Sequence, residues 1–297
     1  MSEVVLKLSR VSKTYIIGSR KNAVKAQKAI QKLHKKYEDD CEQNKACKKD
    51  DEKVLNKAQD LFALEKYEES YKAIKGKVLE VRPKDRGAVV HALNNVSLEI
   101  KKGELVAIVG PSGSGKSTLL NMLGLLDAPT AGQIYLQGVN VTTLKGKKLP
   151  YVRSNDLGFV FQSFNLIPTL TALENVMLPL KYAGKSKAER KKMAEKSLGL
   201  VDLVDRMDHT PNELSGGQGQ RVAIARSIVN TPAIIFGDEL TGELDSKMTR
   251  EVMELIRKLN AKGQTFIIVT HNDEVAKMCN RIIYMKDGKV EKDSLIK

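Results

Sequence analysis

Tryptophan is absent from this chain, and its aromatic residues amount to eight tyrosines and six phenylalanines in 297 positions. So few rings, with no basic stripe to set them in, are poor material for a surface that stacks nucleic-acid bases. Three cysteines (Cys41, Cys47 and Cys279) make no disulfide framework, which suits a reducing cytosol. No second pair completes a zinc site with Cys41 and Cys47. No apolar run approaches the roughly 18 residues of a bilayer span, and residues 1–10 lack the long apolar segment and cleavage site of a secretory signal. Acidic residues are the scarcer charge, 36 against 50 basic, for a net +14. The excess is divided between residues 19–88 and the remainder. A basic surface facing an anionic membrane leaflet explains it as well as DNA does, so charge alone decides nothing.

What the chain does possess is an unbroken run of Gly110, Pro111, Ser112, Gly113, Ser114, Gly115, Lys116, Ser117 and Thr118. It follows an apolar, strand-like stretch at 104–109 and precedes leucine-rich residues 119–126 that read as a buried helix. Strand, glycine loop and helix in that order form the context a phosphate-binding loop requires. The glycines let backbone N–H groups turn inward, at a helix N-terminus whose dipole also favours negative charge. Lys116 is placed to reach the β- and γ-phosphates, and the Ser117 hydroxyl to help hold Mg²⁺. A glycine-rich turn without a ligand would not need the full spacing and both flanks. Such a loop specifies a nucleoside triphosphate and nothing finer.

Around the loop, short β-branched stretches at 4–8 and 11–17 read as strands. From residue 19 to 86 the composition turns Lys/Glu/Ala/Gln-rich with helical spacing, and this segment reads as an inserted helical hairpin or three-helix unit. Strand character returns at 95–100, 104–109, 157–161, 233–237 and 265–270, with helices expected over 171–210 and around 216–229 and 246–260. A small polar hairpin is expected at 133–138 and a closing pair at 281–285 and 289–291. Apolar strands alternating with helices point to a mainly parallel α/β sheet.

Three further places carry chemistry. Ser215, Gly216, Gly217 and Gln218 open an amphipathic helix, so they form either a second anion site of hydroxyl and backbone N–H or an ordinary N-cap beside a flexible glycine pair. The apolar run 234–237 delivers Asp238 and Glu239 to a strand's C-terminal edge, where ligands bind in open α/β sheets. Asp238 is suited to position Mg²⁺ through water, and Glu239 to polarise an attacking water. His271 follows the strand at 265–270 and reaches the same edge, where it can bind a γ-phosphate or the attacking water. A lone histidine is otherwise most often a hydrogen-bonded structural residue.

The set comprising residues 110–118, Gln162, 214–218, 234–239, Leu244 with Asp245, and His271 resembles an ATP-binding cassette ATPase in both order and interval. The resemblance covers nearly everything outside residues 19–86. Residues 121–127, 161–168 and 174–177 are most similar to the macrolide-export and lipoprotein-release branch. The resemblance implies an α/β P-loop NTPase core with an antiparallel β-subdomain (1–18 and 87–162), the inserted arm (19–86), a helical subdomain (163–212), and a return to the core (213–297). It implies that Tyr15 stacks on adenine, although a half-buried strand tyrosine is the plainer reading. Lys116, Ser117 and the loop amides would hold ATP and Mg²⁺, Gln162 and Asp238 would complete the metal site, Glu239 would be the general base, and His271 the γ-phosphate switch. Ser215, Gly216, Gly217 and Gln218 would contact the ATP held by a second copy, making an ATP-dependent homodimer. Separate integral membrane permease chains would be the partners, with the ATPase peripheral at the cytoplasmic face, residues 163–210 grooved for a permease helix, and lipophilic substrates exported or extracted.

Three positions depart from the family pattern: Leu240 where proline usually follows the catalytic glutamate, Glu243 where a small or amide residue is common, and Gly219 in place of glutamine. None removes a catalytic group, so an active ATPase is expected. Deleting residues 20–86 is expected to spare basal hydrolysis and alter partner binding. The competing reading is a soluble cassette ATPase acting on DNA or ribosomes. Ribosomal types typically carry two cassettes, and chromosome-associated types insert coiled coils between phosphate loop and signature; this chain has one motif set and its insertion precedes both. No direct nucleic-acid contact is expected. Intact Glu239 and His271 also argue against a non-catalytic adaptor.

Overall fold

A computed structural model describes residues 3–17, 88–144 and 146–296; the expected helical arm at 19–86 lies outside them. Strands Val4–Ile17 (β1) and Ala88–Lys101 (β2) pair antiparallel, and β1 pairs on its other edge with Ala131–Leu136 (β4), which is followed by Val139–Asn140 (β5). This four-stranded sheet runs β2-β1-β4-β5. The two strands expected at 4–8 and 11–17 are one strand, carried across the polar break by register shifts around Arg10, whose φ is 51°.

The second sheet has six strands: Leu105–Val109 (β3), Leu157–Phe161 (β6), Ile234–Asp238 (β7), Thr265–Val269 (β8), Arg281–Lys286 (β9) and Lys289–Leu295 (β10). Their order is β10-β9-β3-β8-β7-β6, parallel except for the closing β9–β10 hairpin. Central strands buried on both faces need continuous apolar runs rather than alternation, and every residue of β8 is buried. One face packs on helices through Leu105, Ala107, Ile235, Phe266 and Ile268. The other packs through Val106, Ile108, Phe236, Ile267 and Val269 on helix Lys116–Leu123 (α1) and the antiparallel sheet.

The helical region expected at 171–210 is two helices, Ala172–Tyr182 (α3) and Lys187–Gly199 (α4), followed by short 3₁₀ turns. Thr171 with Glu174 forms a reciprocal capping box that opens α3, and Ser186 with Glu189 forms another that restarts the helix after Gly184. Helix Lys148–Asp156 (α2) escaped the sequence reading because it has no apolar stripe; none of its residues is fully buried. Helix Gly216–Ile228 (α5) packs against α3, α4 and β6. Ser246–Ala261 (α6) is capped by Asp245 and buries Val252, Met253, Leu255, Ile256 and Leu259, and Asp273–Lys277 (α7) is capped by Asn272.

Candidate nucleotide site

The phosphate loop leaves β3 and enters α1, and close backbone approach dictates its glycines. At Gly110 (φ 147°) a Cβ would run into the Met285 carbonyl, and at Gly115 (φ 97°) into that of Ala92. Gly115 also ends the loop: its carbonyl accepts the Leu119 N–H at 2.8 Å, the first turn of α1. Lys116 Nζ donates to the carbonyls of Gly110 (2.8 Å) and Pro111 (2.9 Å), which bend its ammonium back over the loop without cancelling the charge. Ser114 Oγ is buried with no partner. An uncancelled ammonium, a concave glycine loop at a helix N-terminus and an orphaned hydroxyl together fit a phosphate chain.

Strand order brings the remaining residues to one edge. Phe161 lies opposite Asp238, Asp238 opposite Val269, and Val269 opposite Ile108. The C-terminal ends of β3, β8, β7 and β6 therefore present, side by side, Gly110, His271, Glu239 with Asp238, and Gln162. Burial pushes the Asp238 carboxyl above its ordinary range, Glu239 adds to the rise, and Lys116 opposes it. Among the described residues no three His, Cys, Asp or Glu side chains cluster into a self-sufficient metal site. Ser117, Gln162 and Asp238 suit Mg²⁺, which keeps few protein ligands and draws the rest from phosphate and water.

Glu239 sits at φ 46°, a left-handed conformation held by its N–H donating to the Val269 carbonyl at 2.9 Å and its carbonyl accepting the Gly242 N–H at 2.8 Å. Its Oε1 lies 3.0 Å from His271 Nδ1. Gln162 packs its amide against Gly242, where a Cβ would approach Nε2 to 2.9 Å. Tyr15 is 38% exposed, and its hydroxyl donates to Asp127 Oδ2 at 3.2 Å. Lys13 Nζ bonds the same oxygen at 2.7 Å and lies 5.0 Å from the Tyr15 ring centre. An open ring face held at its hydroxyl end suits stacking on a base.

Ser215 is exposed at the start of α5, and it and Gln218 exchange bonds as a capping box: Ser215 N–H to Gln218 Oε1 at 2.9 Å, Gln218 N–H to Ser215 Oγ at 3.3 Å. Of the two readings of this segment, the N-cap is therefore present as drawn. The ABC transporter family profile matches residues 93–242, from β2 through the Glu239 turn. The chain belongs to the ABC transporter family.

Among individual ABC proteins it is 52% identical over 214 residues to the uncharacterized ABC transporter ATP-binding protein MJ0796 of Methanocaldococcus jannaschii, covering 70% of this chain and 91% of that protein. The dimeric structure of a post-hydrolysis state of MJ0796 bound to ADP and Pi superposes with a TM-score of 0.67 at 37% identity, covering 98% of this chain and 99% of that one. The lipoprotein-releasing system ATP-binding protein LolD of Aquifex aeolicus is 51% identical over 67% of this chain and 88% of its own length. The macrolide export ATP-binding/permease protein MacB of Brucella melitensis is 51% identical over 69% of this chain, but only 32% of that longer protein is covered. The fold is the ABC ATPase cassette. This ABC chain is an ATP-hydrolysing transporter subunit of the macrolide-export and lipoprotein-release branch, and it uses ATP with Mg²⁺. The DNA- or ribosome-directed reading is not favoured.

Two of the departures from the ABC pattern acquire physical reasons. Leu240 is buried, and its Cδ2 occupies the space that a side chain at Gly237 would take. A Cβ at Gly219 would press to 3.2 Å on the Phe164 ring. Glu243 is solvent-exposed and nothing in the structure explains it. The sequence reading missed the polar groups that brace the site: Lys13 and Asp127 behind Tyr15, Asn175 behind the segment after Gln162, and Arg226. Asn175 is fully buried and bonds the backbone of Ile167, Leu170 and Thr171. Arg226 donates to the carbonyls of Phe164 (2.7 Å) and Asn165 (2.6 Å).

Proposed function

We propose that two copies of this chain close on ATP, each completing the other's site with Ser215, Gly216, Gly217 and Gln218, and that closure moves permease subunits carried on separate chains. The observation that carries this reading is the division of the site: four strand ends gather Lys116, Ser117, Gln162, Asp238, Glu239 and His271, while Ser215 stands exposed at the start of another helix. The dimeric form of MJ0796 supports the arrangement. Lys116 and the loop amides orient the triphosphate. Mg²⁺, held by Ser117, Gln162 and Asp238, would neutralise charge on the phosphate oxygens. Glu239 orients the attacking water and takes its proton, and His271 holds that carboxylate and faces the γ-phosphate. Tyr15 stacks on the adenine.

The permease reading is supported by an open groove of about 820 Å³ where α2 and α3 meet β6. Leu126, Phe159, Phe161 and Pro179 line it, and Tyr151 and Tyr182, 68% and 81% exposed, flank it. Exposed rings beside an apolar trough suit an amphipathic helix laid into it. No helix among the described residues is long and apolar enough to cross a membrane. We place the chain at the cytoplasmic face of the membrane. The names of MacB and LolD support a lipophilic cargo that is exported or extracted.

The test is affinity purification of the tagged full chain from gently solubilised native membranes. The expected result is a polytopic membrane protein recovered in equal proportion, and its loss from a Tyr151→Ala/Tyr182→Ala variant. Recovery of ribosomes or DNA alone, with the chain missing from membranes, would overturn the proposal.

A further inference from the structure

We infer that Gln220 is a positioning residue for hydrolysis: its buried amide fixes the Glu239 turn to the helix that begins at Ser215. The inference rests on the reading of Glu239 as the base.

Gln220 lies near the start of α5, one turn beyond the capping box, and has no exposed surface. Its Nε2 donates a short hydrogen bond to the Leu240 carbonyl and a longer one, 3.5 Å, to the Phe161 carbonyl. Leu240 directly follows Glu239, and Phe161 directly precedes Gln162. A single amide group thus spans the ends of two neighbouring strands, and both amide hydrogens are spent on backbone that carries site residues. The other end of the same side chain is left wanting, since Gln220 Oε1 is buried with no partner. A buried acceptor without a donor costs stability, and an apolar side chain of the same size would fill this space without that cost. The feature the site makes use of is therefore the N–H₂ donor and its position.

The turn it holds needs holding. Glu239 is a non-glycine residue at φ 46°, and such a conformation persists only where its surroundings over-determine it. Backbone bonds to Val269 and Gly242 fix the near side of the turn, and the Leu240 side chain packs over Gly237 and toward Ile268. The Gln220 bond ties the turn to the helical layer. Since α5 is a rigid helix, any displacement of Ser215 is carried one turn along to Gln220 and on to the backbone of the base. A carboxylate misplaced by about 1 Å loses much of its effect on a bound water.

The experiment compares full-length Gln220→Leu and Gln220→Glu with the wild type in steady-state Mg-ATP turnover, equilibrium ATP binding and thermal melting. For Gln220→Leu the expected result is a kcat lowered by about tenfold or more with ATP affinity within about twofold, since positioning of the base is lost and ground-state binding is not. Gln220→Glu stays protonated in so dry a site and can still donate to the Leu240 carbonyl, so it should recover turnover to within about threefold of wild type. A folded Gln220→Leu with wild-type kcat would overturn the inference, as would equal losses in the two variants. Loss of ATP binding together with turnover also counts against it, because that pattern marks a purely structural role. If Gln220→Leu does not fold, the kcat of Gln220→Glu decides alone. Glu239→Gln run in parallel separates the two readings: a fast Glu239→Gln refutes the base, whereas a dead Glu239→Gln beside a fast Gln220→Leu refutes only the strut.

Discussion

His271 Nδ1 stands 3.0 Å from Glu239 Oε1, joining the segments that follow two adjacent strands, β8 and β7. Glu239→Gln keeps the side chain's size and a partner for His271 but removes the proton acceptor. Turnover should fall by at least about 10²-fold, the low end for loss of a general base. ATP affinity should stay within a few-fold, because Lys116 and the loop amides are untouched. His271→Ala should also slow turnover, by less, since the carboxylate remains. Phosphate release and equilibrium nucleotide binding measure both, and wild-type turnover in Glu239→Gln would remove it from the base role.

Leu240 and Gly237 form a matched pair. Leu240 Cδ2 sits where a Cβ on Gly237 would be, so one position tolerates leucine because the other has no side chain. Gly237→Ala alone should destabilise by about 1–3 kcal/mol through overpacking. Leu240→Ala alone should cost about 2–4 kcal/mol through the cavity left in a fully packed place. Together they should cost less than the sum by about 1 kcal/mol or more, because the second change makes room for the first. Denaturant titration of the three variants tests this; strict additivity would show that the contact does not govern the turn.

Much of this arrangement was legible from the order of residues. Strand β3 is apolar at every position, and β7 up to Asp238 and β8 after Thr265 carry continuous apolar runs, because both faces are covered; such runs do not alternate as a half-exposed strand does. The phosphate loop announces itself by glycines that the backbone of Met285 and Ala92 leaves no room to replace. Sequence spacing failed where the information is tertiary. Gln220 and Arg226 are polar residues within a helix, and nothing local says that their partners are carbonyls of distant turns. Helix α2 has no apolar stripe to reveal it, and β1 hides its continuity behind a polar bulge. Leu240 reads as an anomaly until its neighbour across the turn is known.

Asp127 makes the Tyr15 corner of the site sensitive to acid. Burial pushes its carboxyl up, but the Lys13 ammonium, the Ala128 N–H and the Tyr15 hydroxyl outweigh that and hold it below the ordinary range. A depressed carboxyl contributes stability above its unfolded pKa and loses it as pH falls through the folded value. Asp127 is partly exposed, so after solvent screening the contribution is about 0.5–1 kcal/mol. The gap in melting temperature between wild type and Asp127→Asn should therefore be full above the ordinary carboxylate range and close as pH falls below it. A gap that widens on acidification would contradict the sign.

Arg281 fastens the edge of the parallel sheet. Its guanidinium donates from Nε to Asp293 Oδ1 at 2.7 Å and from Nη2 to Asp293 Oδ2 at 2.6 Å, spanning β9 and β10. Its Nη1 donates to Glu104 Oε2 at 2.8 Å and to the Glu99 carbonyl at 2.9 Å, which brings in the approach to β3 and the neighbouring β2. The Asp293 bonds raise its pKa, burial opposes, and Glu104 adds to the rise, so the cation is fixed at any working pH. Lysine has one nitrogen and cannot reproduce a fork that serves four acceptors. Arg281→Lys should cost about 1–3 kcal/mol even though the charge is kept, because charge-assisted bonds are lost in a largely enclosed place. Asp293→Asn should cost less, since that partner is the more exposed. Hydrogen exchange locates the effect: the amides of β10 should lose protection before those of β3 and β8, which are held by strands on both sides. Uniform loss across the sheet would mean that Arg281 supports the whole core rather than its edge.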